Sequence, residues 1–134
     1  MVQVLSSNEQ DGLRVHGGAR VDIWGMALDA SGSGREGAMF RQNGWCGIHV
    51  AGPATVKCSE AKIKANGRHG LVAEDGAAVS ARHLDIDANT GTGIVATHDA
   101  MVVDLFCCTS AGNRVGLSST ASLVRAINCR VVWQ

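Results

Sequence analysis

Asn43-Gly-Trp-Cys-Gly47-Ile48, Asn66-Gly-Arg-His-Gly70-Leu71 and Asn89-Thr-Gly-Thr-Gly93-Ile94 are three copies of one phrase, and Gly112-Asn-Arg-Val-Gly116-Leu117 is a fourth. Each Gly-Ile or Gly-Leu follows the last by 23 residues, and a further copy, Asn8-Glu-Gln-Asp-Gly12-Leu13, stands near the start. A fixed period in this range marks a solenoid or a propeller. Within one period, Ile48-His49-Val50, Ala54-Thr55-Val56 and Ala61-Lys62-Ile63-Lys64 alternate in character and are separated by turn residues. That pattern reads as three short strands. There is no room for a helix, the dense leucines of a leucine-rich repeat are missing, and a propeller blade needs about 40–45 residues. What remains is a coil whose strands pair in parallel with their counterparts one period later, about 4.8 Å away.

The phrase N-x-x-x-G-[IL]-x-V, followed by A-x-V and an apolar-x-apolar run ending in Asn, resembles the right-handed parallel β-helix repeat of the pectin-lyase-like superfamily over residues 8 to about 124. The resemblance implies an all-β fold: a right-handed parallel β-helix of about five coils of 23 residues, with three short strands per coil. Residues 1–134 then form one domain, with a glycine-rich loop insertion at 31–42 where the next asparagine arrives twelve residues late. Polysaccharide lyases and hydrolases, sugar epimerases, phage tail spikes and adaptor proteins share this architecture, so function has to be argued from side chains.

Composition agrees with a thin aliphatic column. The chain has 17 glycines, one proline and two phenylalanines, and is 46% hydrophobic. Twelve basic residues balance twelve acidic ones, which gives no electrostatic case for nucleic acid. Apolar runs are too short for membrane insertion, and Met1-Val-Gln-Val lacks the features of a signal peptide. Five cysteines without a C-x-x-C pair favour a reducing, intracellular setting.

Period-two alternation assigns the faces. Leu13, Ile48, Leu71, Ile94 and Leu117 make one inward column and Val21, Val56, Val79 and Val102 another, while Asn8, Asn43, Asn66 and Asn89 make a structural corner ladder. Outward on the first strand, Arg14 neighbours His49, a pair suited to a carboxylate or phosphate. The following turns carry Glu74-Asp75 and Thr97-His98-Asp99, which would hold Ca²⁺ through oxygens or pose His98 as a base beside Asp75, Glu74 or Asp99. Asp85 and Asp87 have the spacing of paired carboxylates, but Lys62 and Lys64 sit one coil away to neutralise them. Cys46 and His69 share a column without any recognised metal-ligand spacing, so neither a metal nor another cofactor is assigned. Trp45, with Arg68 one coil on and Phe40 in the loop, offers a stacking surface for a sugar.

In coil four, Asp104 falls on an inward position, and Met101 and Val103 point outward near Val72 and Val95. Four outward apolar residues suggest a covered face. Open coil ends likewise invite a protein partner or self-association. The leading expectation is therefore a non-catalytic structural or protein-binding module in a larger assembly. The alternative is a small carbohydrate-active protein or glycan-binding module acting on a polysaccharide.

Overall fold

The computed structural model of this chain describes residues 4–6, 10–24, 39–97, 102–120 and 122–131. Strand β1 (Val4–Ser6) precedes five coils of three strands each. The first coil is β2 (Leu13–Val15), β3 (Arg20–Trp24) and β4 (Met39–Arg41), and the second is β5 (Ile48–Ala51), β6 (Thr55–Ser59) and β7 (Lys62–Lys64). Then follow β8 (Leu71–Glu74), β9 (Ala78–Arg82) and β10 (Asp85–Asp87); β11 (Thr92–Thr97), β12 (Val102–Phe106) and β13 (Thr109–Ala111); and β14 (Val115–Ser119), β15 (Val124–Ile127) and β16 (Arg130–Val131). First strands form sheet 1 (β2, β5, β8, β11, β14), second strands sheet 2 (β3, β6, β9, β12, β15), and third strands with β1 form sheet 3. All pairings are parallel, which makes the molecule a parallel β-solenoid. Among the described residues no helix is long and apolar enough to cross a membrane.

The repeated phrase sets the register. Leu13, Ile48, Leu71, Ile94 and Leu117 are successive partners across sheet 1. Ile48, Leu71 and Ile94 are essentially inaccessible, whereas Leu13 and Leu117, at the two ends of the column, are only partly buried. Burial of each inner member contributes about 1.5–3 kcal/mol. The repeated glycine is dictated by the same stacking. A Cβ on Gly70 would stand 2.6 Å from the Gly93 carbonyl oxygen and 2.6 Å from Ile86 Cγ2, so no larger residue fits without moving the next coil.

The asparagines stack as expected, and the ladder runs one coil further than expected. Asn43 Nδ2 donates to Asn66 Oδ1 at 2.9 Å, Asn66 Nδ2 to Asn89 Oδ1 at 2.8 Å, and Asn89 Nδ2 to Asn113 Oδ1 at 2.9 Å. The backbone N–H of Asn43, Asn66 and Asn89 donates to the same oxygens. Asn113 Nδ2 ends the series by donating to Ser110 Oγ at 3.1 Å and to the Ile86 carbonyl at 3.1 Å. The left-handed conformation at this corner belongs to the preceding residues, Gln42, Ala65, Ala88 and Gly112, rather than to the asparagines. Asn8 lies outside the described residues.

Two local expectations are corrected. The third strand of the first coil is Met39–Arg41, in register with Lys62–Lys64, so the inserted segment precedes it and does not extend to residue 42. Phe40 consequently leaves the loop. It is 2% exposed, aligned with Ile63 and Ile86, and offers no stacking surface. Arg41 is the register partner of Lys64. In coil four, the span from Ile94 to Val103 is one residue longer than that from Leu71 to Val79, and a one-residue slip exchanges the faces. Val103 therefore falls in line with Val79 and Val56, Leu105 takes the inward position at 2% exposure, and Asp104 turns outward beside Ser80.

Candidate functional site

The densest polar cluster forms around His49. Its strand, β5, lies between β2 and β8, so Arg14 is its register partner below and Val72 its partner above. The ring is held between two carboxylates: Nδ1 lies 3.3 Å from Asp11 Oδ2 and Nε2 lies 2.8 Å from Glu74 Oε1. An imidazole protonated at both nitrogens donates to both, whereas a neutral ring donates to one. Asp11 is almost inaccessible, and its other oxygen accepts the Cys46 N–H at 3.0 Å. Burial, reinforced by Asp11, pushes the Cys46 thiol up to about 11, which keeps it protonated at neutral pH. His69 stands one coil above Cys46. Its Nδ1 accepts the Thr92 N–H at 2.9 Å, and burial, with help from Arg68, lowers its pKa.

Of the residues expected here, His49 and Glu74 meet, and Arg14 is adjacent but exposed. Asp75 is exposed in a left-handed turn position before Gly76. His98 and Asp99 lie outside the described residues, so the oxygen set considered for Ca²⁺ is not described in full. Among the described residues no group of three or more His, Cys, Asp or Glu side chains is placed to hold a metal ion. Asp11, the carboxylate that completes the His49 contact, was missed because 38 residues and an insertion separate the two. Trp45 and Arg68 do meet, with the guanidinium 5.5 Å above the indole centroid.

Of the apolar face expected at Val72, Val95, Met101 and Val103, only part lies among the described side chains. Val72 is 7% exposed, Val95 is half-buried, Val103 is aligned with a buried column, and Met101 lies outside the described residues. Exposed apolar side chains stand at the end of sheet 2, where Leu123, just before β15, is 55% and Ile127 57% exposed. They flank Arg125, whose Nε and Nη2 donate to Asp104 Oδ1 and Oδ2 at 2.6 and 2.9 Å. This fork holds the Asp104 carboxyl below its usual range. Phe106, the register partner of Ile127, is covered by the Arg82 guanidinium 5.0 Å from its centroid and meets His83 edge-on. A shallow groove of about 270 Å³ runs among Ser80, Arg82, Asp104, Phe106, Arg125 and Ile127.

No protein-family model matches this sequence, and no curated protein or solved structure does either. The fold is therefore a parallel β-solenoid on its own geometry, and the functional reading rests on these two side-chain clusters. The His49 cluster is closed, because its ring nitrogens, the Asp11 carboxylate and the neighbouring N–H groups already satisfy one another. The sheet 2 face is open, with apolar side chains turned to solvent around a fixed pair of opposite charges.

Proposed function

We propose that this chain is a non-catalytic β-solenoid module that works by protein binding, and that the occupant of its docking face is a second copy of itself. The observation that carries the reading is the exposure of Leu123 and Ile127 on either side of the ion-paired Arg125. Apolar residues around a fixed arginine have the make-up of an interface centre. The face sets the Asp104 carboxylate beside the Arg125 guanidinium, with Arg82 next to them, so a two-fold axis through it brings Arg125 of one copy against Asp104 of the other. A net charge of zero sets up no repulsion between copies. The tied His49 ring and the protonated Cys46 thiol support a non-catalytic role. The resemblance of the repeat to the pectin-lyase-like superfamily belongs to this proposal as a relationship of architecture.

Light scattering over a range of protein concentrations tests it. The wild-type mass should rise with concentration, and the Leu123→Glu/Ile127→Lys double variant should stay monomeric with an unchanged circular-dichroism spectrum. A wild-type monomer at every concentration overturns self-association, and a variant that associates as well as wild type overturns the assigned face.

A second reading, glycan binding, is favoured by the exposed Trp45 indole, 47% accessible, with Arg68 beside it to meet an acidic sugar. Saturable quenching of Trp45 fluorescence by an acidic polysaccharide, lost in Trp45→Ala, would support it. No change in emission would remove it.

A further inference from the structure

Two of the three corners of each coil repeat as faithfully as its strands, and one of them carries thiols. Glu60, His83, Cys107 and Asn128 all adopt φ of 53–56°, and each is followed by a residue of one column: Ala61, Leu84, Cys108 and Cys129. Cys108 and Cys129 therefore occupy the same place in successive coils, each one residue before the paired Thr109 and Arg130. Their thiols are set alike. Cys108 Sγ lies 3.4 Å from the Phe106 carbonyl and 3.7 Å from that of Ala81, and Cys129 Sγ lies 3.3 Å from the Ile127 carbonyl and 3.4 Å from that of Leu105, the register partner of Ala81. Cys129 Sγ also accepts the Cys108 N–H at 3.4 Å, so the upper sulfur rests on the backbone of the lower residue. Adjacent parallel strands stand about 4.8 Å apart, inside the Cα separation of about 4.4–6.8 Å that a disulfide spans. Both thiols are free in the structure.

We infer that Cys108 and Cys129 are a redox-modification site: a hydroperoxide or a disulfide oxidant joins them in a reversible bond that ties the fifth coil to the fourth. Cys129 is partly exposed and Cys108 is buried, so the oxidant reaches Cys129 first. With a hydroperoxide, the Cys129 thiolate attacks the O–O bond and becomes the sulfenic acid as the alcohol or water leaves. Cys108 sulfur then attacks Cys129 sulfur, the S–S bond forms, and the hydroxyl departs as water with the Cys108 proton. Both thiols are oxidised, and one peroxide is reduced. Glutathione disulfide gives the same product through a mixed disulfide, releasing two glutathione thiols. Burial, with the Cys129 thiol beside it, raises the Cys108 pKa, which makes the second step the slow one. Cys107, though next in sequence, sits at the left-handed corner one position earlier and is not the stacked partner of Cys129.

The bond closes a loop over the whole of β14 and β15, the strand with the least burial among the described residues. The test is to treat the full purified chain with hydrogen peroxide or glutathione disulfide, alkylate the remaining thiols after unfolding, and map the peptides. The expected result is one intramolecular Cys108–Cys129 link, with Cys46, Cys58 and Cys107 alkylated. A rise of about 5–10 °C in thermal midpoint should accompany it, reversed by dithiothreitol. Cys107→Ser should keep the link and the shift, and Cys129→Ser should lose both. A link through Cys107, Cys129 over-oxidised without coupling, or no link at all under either oxidant overturns the inference. The wild-type peptide map decides between these outcomes even if a variant fails to fold.

Discussion

Replacement of Asn89 by alanine should cost more than any change on the surface, because the side chain serves the coils on both sides of it. Its Oδ1 accepts the Asn66 N–H at 3.0 Å and Asn66 Nδ2 at 2.8 Å, while its Nδ2 donates to Asn113 Oδ1 at 2.9 Å and the Ile63 carbonyl at 3.2 Å. In Asn89→Ala the buried Asn66 N–H loses this acceptor, a penalty of about 1–3 kcal/mol, and three further bonds at about 0.5–1.5 kcal/mol each go with it. The sum, about 2.5–7.5 kcal/mol, is comparable with the whole stability of a typical domain, about 5–15 kcal/mol. Urea unfolding followed by far-ultraviolet circular dichroism measures it by linear extrapolation. A loss below about 1 kcal/mol would refute the assignment of the ladder as a principal support of the coil.

Ala65 is exposed and held at φ 56°, where a Cβ costs about 1–2 kcal/mol, so Ala65→Gly should raise the urea midpoint; a lower midpoint would contradict the corner geometry. His69 has its pKa lowered in the folded state from 6.5, so between that lowered value and 6.5 the unfolded chain binds more protons. Its contribution is fully present above about pH 6.5 and lost as pH falls through this window. The drop in stability from pH 7 to pH 5 should therefore be smaller in His69→Gln, and an equal drop would exclude His69 as its source. Burial pushes Cys58 up to about 12 and Cys46 to about 11, so neither should react with a maleimide in the folded protein at pH 7. Rapid labelling of Cys46 would overturn its inertness. Asp104→Asn removes an exposed ion pair and should cost no more than about 1 kcal/mol in the same urea assay.

The solenoid was legible because Gly12, Gly47, Gly70 and Gly93 hold positions where nothing larger fits, so the period of the contact and the period of the sequence coincide. Two places defeated the reading, both through spacing. The glycine-rich segment before Met39 hid a short third strand, since Met39-Phe40-Arg41 is too brief for alternation to stand out. One additional residue before Val103 then exchanged the faces of β12, which concealed the apolar surface beside Arg125 and falsely buried Asp104. The His49 cluster was half visible. His49 and Glu74 lie 25 residues apart, close to one period, while Asp11 reaches the ring across the insertion.

The amide ladder also has a direction. From Asn43 to Asn113 each side-chain link runs from an Nδ2 to the Oδ1 of the later coil, so the amide dipoles add along the axis and each bond polarises the next. Such a line needs a terminus. Ser110 occupies the inward column otherwise held by Phe40, Ile63 and Ile86, and its hydroxyl accepts from Asn113 and donates onward to the Gly116 carbonyl at 2.9 Å. A polar residue that looks like a flaw in an aliphatic stack is thus the acceptor that ends a one-way electrical line running the length of the asparagine corner.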